Sequence, residues 1–146
     1  MVMKMKENIE FLNYIYQNAQ MGVVGIDDII NKITDEDFEN VIKEQKDDYE
    51  TICKETSAIF KKYGKEEKEL PMMAKVGSYM MSEMKTLTDS STNMLAKMMI
   101  EGSNKGIIEI TEQLNNYSGD DEEIRTLANK LLKIEQKNLD NLKKFL

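Results

Sequence analysis

The chain has 146 residues, a formal net charge of -7, 40% apolar and 32% charged residues, one cysteine and no histidine. One domain spanning 1–146 with a real core is expected, too apolar for disorder. The acidity disfavours nucleic-acid backbones and anionic lipid surfaces, and the missing imidazole removes the commonest metal ligand and general base.

The first predicted helix runs from Lys6 to Ile33. Leu12, Tyr16, Ala19, Val23, Ile26, Ile30 and Ile33 alternate steps of four and three, a heptad seam on one face. Gly22 and Gly25 interrupt it, each costing about 1 kcal/mol relative to alanine. Thr34 is the expected cap of a second helix, with acids in its first turn where the helix dipole favours them. Ile33 and Phe38 are placed as a hydrophobic staple. The second seam is Ile42, Gln45, Tyr49, Ile52, Thr56, Ile59 and Tyr63, and Gly64 is placed to end the helix.

Pro71 suits a third helix start. Helical phase then persists through Met73, Gly77, Met80, Met84, Leu87, Ser91, Leu95, Met98, Gly102, Gly106 and Ile110. A single helix from Pro71 to Tyr117 would be about 70 Å long, which a compact bundle cannot cover. The polar run 88–92 offers a break, with Asp89 or Ser90 as cap. A short helix to Leu87 and a main helix to Tyr117 are therefore expected, although the unbroken phase also fits one helix. After the turn 118–121, a last helix uses Ile124, Leu127, Leu131, Ile134, Asn138, Leu142 and Phe145. The Gly-x-x-Gly and Gly-x-x-x-Gly spacings at Gly22 and Gly102 lie inside helices and point to close helix packing.

Gln45 and Asn138 occupy seam positions that call for apolar residues. A hydrogen-bonded pair fixing helix register is one reading; a remnant polar or metal-binding centre is the other. Glu44, Asp48, Glu101 and Glu135 flank the seams. They are expected on the solvated surface, with a carboxylate-only divalent metal site as the alternative. Eight of the twelve methionines fall between Met72 and Met99. Neighbouring residues diverge by about 100° around a helix, so the doublets cannot all face one seam. An apolar contact surface through Met72, Met73, Met80, Met81 and Met84 is expected, between protomers or with a protein partner; soft copper(I) ligation is the lesser alternative. Cys53 reads as an inert, partly buried thiol, and the tyrosines as packing residues. A lone cysteine, no apolar leader after Lys6 and no membrane-length apolar run suggest a cytoplasmic chain. The only arginine is Arg125, so bidentate phosphate recognition is not expected.

In Leu12–Ala19, in 44–49 and in Ile100–Ile108 the pattern resembles the ferritin-like superfamily of four-helix bundles, in particular small bacterial members without the histidine ligands. The resemblance implies an antiparallel all-α bundle with a short additional helix before the third main helix. It also implies inward ligands, which here fall on Gln17 or Gln20, Glu44 or Gln45 with Asp48, Glu101 or Ser103, and Glu135 with Asn138. With both family histidines missing, the chain is expected to be non-enzymatic, without a cofactor, and to act through protein contacts or self-association. A pocket between helices for a small apolar ligand is a further possibility that requires a cavity.

Overall fold

The computed structural model describes residues 2–65 and 90–146, which are helical throughout apart from caps and turns. Helix α1 is Val2–Ile29, followed by a 3-10 turn Ile30–Lys32; α2 is Glu36–Lys62; α3 is Thr92–Asn116; α4 is Glu122–Leu142, followed by a 3-10 turn Lys143–Phe145. No described helix is long and apolar enough to cross a membrane. The additional helix expected over 71–87 lies outside the described residues, as do Met72, Met73, Met80, Met81 and Met84.

Side-chain chemistry sets the helix ends. The cap of α2 is Asp35, one residue beyond the expected Thr34; its carboxylate accepts the Phe38 amide at 2.8 Å. An anionic cap adds charge at the positive end of the helix dipole, joined there by Glu36, Asp37 and Glu39. At the other end Gly64 adopts φ 66°. It lets Gly64 N–H reach the Lys61 carbonyl and Lys65 N–H reach Phe60, each at 3.0 Å, the paired bonds of a Schellman stop. Ser91 caps α3, accepting from the Met94 amide at 3.4 Å, so the new start falls just after the expected Asp89 or Ser90. Asp121 caps α4 through bonds from Glu123 and Ile124 amides at 2.9 and 3.2 Å.

Leu12, Ile15, Ile26, Phe38, Ile42, Ile52, Leu95, Ile110, Ile124 and Leu131 are essentially inaccessible and form one continuous core with Phe60. Each such side chain contributes about 1.5–3 kcal/mol on burial. The seam expected for α2 is buried from Ile42 to Ile59, whereas that of α3 is rotated. Met99 and Ser103 are buried there with Leu95, Ala96 and Ile110, while Met98 is half-buried and Gly102 exposed. In α4 the buried residue after Leu131 is Glu135, not Ile134.

Cross-helix pairs define the neighbours. Between α1 and α2 they are Asn8 with Tyr63 at 3.4 Å, Gln20 with Cys53 at 3.5 Å, and Asp27 with Lys46 at 2.7 Å. Between α2 and α4, Lys62 meets Glu123 at 3.0 Å, Glu55 meets Lys130 at 2.5 Å, and Lys137 meets Glu44 at 2.9 Å and Asp48 at 3.4 Å. The ion pairs among them are largely exposed and solvent-screened, so they orient the helices more than they stabilise them. Tyr14 on α1 donates to Glu109 on α3 at 3.3 Å.

Candidate functional site

A polar cluster sits where apolar packing would be expected. Helix α2 carries Tyr49 inward, 4% exposed. Its ring lies against Gly22 of α1, where a Cβ would come within 2.6 Å of the ring carbons. Only glycine admits an aromatic ring this close to a helix backbone. Helix α4 carries Glu135, 3% exposed, against Gly106 of α3, where a Cβ would lie 2.9 Å from the carboxyl oxygen Oε2. Two glycines on two helices thus make room for one phenol and one carboxyl.

The two buried groups meet. The Tyr49 and Ser103 hydroxyls hydrogen-bond the Glu135 carboxyl, and Asn138 Nδ2 donates to the Tyr49 hydroxyl at 3.1 Å. Burial pushes the Glu135 carboxyl up to about 7 against the pull of its two hydroxyl donors. Burial and the nearby carboxyl push the Tyr49 phenol well above its ordinary range. Glu135 therefore exchanges its proton around neutrality while Tyr49 stays neutral.

Beside this cluster lies a cavity of about 220 Å³. Asn18, Tyr49, Ser103 and Glu135 supply its buried polar wall, and Met21, Met98 and Met99 its apolar wall. Four of the seven glycines, Gly22, Gly25, Gly102 and Gly106, line it, so the space follows from side-chain volume absent along two facing helix stretches. Glu101, Lys105 and Glu109 form the more exposed lining. Lys105 is 3.9 Å from Glu109. Burial and the Glu109 carboxylate raise the Tyr14 phenol.

The carboxylates singled out in the sequence are dispersed. Glu44 and Asp48 turn to Lys137 on the outside of the α2–α4 contact. Glu101 is exposed, and Glu135 alone of the four is buried; its expected place on the solvated surface is corrected. Among the described residues no three or more Asp, Glu or Cys groups could hold a metal ion. The register pair expected of Gln45 and Asn138 is corrected as well. Asn138 bonds Tyr49 instead, and both amide atoms of Gln45, 2% exposed, are unpartnered, as is Asn138 Oδ1. The described methionine doublet Met98–Met99 lines the cavity, so these two serve an internal wall. The resemblance carries Ser103 and Glu135 as candidate inward residues, whereas Tyr49 enters only as a seam and packing residue. The step Leu131–Glu135–Asn138 keeps helical phase through the acid, but Leu131–Ile134–Asn138 keeps it equally well, so spacing alone does not single out Glu135.

A second polar cluster closes one end of the molecule. Tyr117 donates to Asn8, Tyr63 donates to Asp121, and Asn8 Nδ2 donates to Asp120 at 3.0 Å. Arg125 stacks over the Tyr117 ring at 4.9 Å. Burial and the Asp121 contact push the Tyr63 phenol up to about 12. The cluster ties the ends of α2 and α3 to the starts of α1 and α4, which accounts for its residues structurally. No protein-family model, no curated protein and no solved structure matches this chain.

Proposed function

We propose that this protein is a non-enzymatic helical scaffold that binds a small organic molecule in the cavity beside Glu135. One observation carries the reading: a carboxyl 3% exposed forms part of the wall of a cavity of about 220 Å³, with Asn18, Tyr49 and Ser103 beside it and methionine and glycine backbone on the apolar side. Binding cavities combine apolar walls with a few placed polar groups in this way. The volume compares with the roughly 150 Å³ that accommodates benzene, so a ligand of about ten non-hydrogen atoms fits.

The scaffold is read as an antiparallel ferritin-like bundle. Positions that rise along α1 fall along α2, from 8–63 to 27–46, and positions that fall along α2 rise along α4, from 62–123 to 44–137. Tyr63 and Tyr117, at the ends of α2 and α3, lie at the same end of the molecule beside Asn8. Helices α2 and α3 therefore run parallel, the start of α3 standing one helix length, about 37 Å for 25 residues, from the end of α2. Two consecutive main helices that run parallel fit the ferritin-like arrangement. The family's metal centre does not carry over: Gln45, Ser103 and Asn138 stand at inward positions, Glu44 and Asp48 face Lys137, and one carboxyl with two hydroxyls is a poor donor set for iron or manganese. The self-association expected through Met72, Met73, Met80, Met81 and Met84 rests on residues outside those described.

Titration of 13C-methyl-methionine protein with benzyl alcohol tests ligand binding. Saturable shifts of the Met21, Met98 and Met99 methyl signals are expected, and Met98→Trp, which fills the cavity, abolishes them. Shifts that persist in Met98→Trp would place binding elsewhere.

A further inference from the structure

On the ligand-binding reading above, we infer that the cavity takes a small organic ammonium ion, its N–H groups on the Glu135 carboxylate and its carbon body against Met21, Met98 and Met99. Glu135 keeps hydrogen-bonding capacity beyond its two hydroxyl donors. A carboxylate has about four acceptor positions. The recorded partners of Glu135 are two neutral hydroxyls, from Tyr49 and Ser103, so positions remain for further donors. What those partners do not supply is positive charge: burial dominates and lifts the carboxyl to about 7. A bound cation compensates that buried charge and makes the stronger, charge-assisted bonds.

The remaining lining favours the same sign. Glu101 and Glu109 add two carboxylates against the single Lys105, whose side chain is 56% exposed and lies 3.9 Å from Glu109. An anion would meet a net negative wall. The apolar side consists of thioethers and glycine backbone, which accept a hydrocarbon body through adaptable, polarizable contacts. The volume limits that body to roughly an aromatic ring with a short arm.

Three probes of nearly one shape separate the terms: benzylammonium, benzyl alcohol and benzoate, each titrated into the whole chain at about pH 8, above the range where Glu135 holds its proton. The Met21, Met98 and Met99 methyl signals report occupancy. Benzylammonium is expected to bind about tenfold more tightly than benzyl alcohol, the usual margin of a charge-assisted over a neutral hydrogen bond, and benzoate more weakly than either. In E135Q the amine-over-alcohol preference is expected to fall to within about twofold. Equal affinity for amine and alcohol in the unmodified protein overturns the ammonium assignment while leaving a ligand cavity. Preference for benzoate overturns it in the opposite sense. No saturable shift with any of the three overturns the ligand-binding reading itself. The comparison among probes uses the unmodified chain, so it holds even where E135Q fails to fold.

Discussion

The carboxyl of Glu135 rests on the backbone of Gly106, close enough that a single methyl group at position 106 would sit 2.9 Å from its oxygen. One glycine on α3 thereby decides where an ionisable group on α4 is buried. The consequence is a carboxyl that titrates near neutrality inside the helical core.

That titration is visible in stability. The folded-state value of about 7 stands above the ordinary 4.5. An acid raised in this way stabilises the fold fully below about pH 4.5, and the contribution is lost as pH rises to about 7. The difference of about 2.5 units corresponds to about 3 kcal/mol for this 3% exposed group. Urea denaturation of the wild type and of E135Q, compared between pH 4.5 and 8, isolates it from the other carboxylates. The expected result is a variant that gains on the wild type by about 2–3 kcal/mol across this window. A difference independent of pH would show Glu135 titrating as an exposed acid.

The glycines separate into two classes. A Cβ at Gly22 meets the buried Tyr49 ring at 2.6 Å, whereas one at Gly102 meets nothing within 4 Å. Gly22→Ala is expected to lower stability by about 1–2 kcal/mol, because overpacking against a rigid ring outweighs the gain in helix propensity. Gly102→Ala is expected to raise it by about 0.5–1 kcal/mol. Thermal unfolding of the two variants side by side checks both signs.

Gln45 places an amide in the core with neither atom partnered. An unpaired buried polar group costs about 1–3 kcal/mol, and methionine has nearly the volume of glutamine. Gln45→Met is expected to stabilise the protein by about 1–2 kcal/mol, read as a higher denaturation midpoint at unchanged m-value. A lower midpoint would assign Gln45 a partner and a role in holding the polar cluster.

The legible part of the fold was the part with sharp polarity. In α2 the apolar and polar faces differ strongly, and the residues from Ile42 to Ile59 are buried at the positions their spacing indicates. The Gly64 stop follows from the left-handed backbone at φ 66°, which glycine adopts without the Cβ penalty other residues incur. In α3 the run 98–100 is apolar on three successive faces and the glycines carry no side chain, so periodicity alone does not decide between Met98 and Met99. Packing selected Met99 and Ser103.

The site was hidden for a related reason. Ile134 and Glu135 are adjacent in α4, and hydropathy favours Ile134. Helical phase from Leu131 to Asn138 admits either residue, as steps of three and four or of four and three. The tie is broken across the bundle by Gly106, Ser103 and Tyr49, which belong to two other helices. Only tertiary structure brings those residues together, so no spacing within one segment announces them.

The most direct test is the 13C chemical shift of the Glu135 carboxyl followed through pH, in the free protein and with saturating benzylammonium. A midpoint of about 7 in the free protein, falling when the amine binds, is the expected result, because a bound cation favours the ionised form. A midpoint near 4.5 that the amine leaves unmoved would mean a solvated carboxyl, and would contradict both the buried site and the ligand assigned to it.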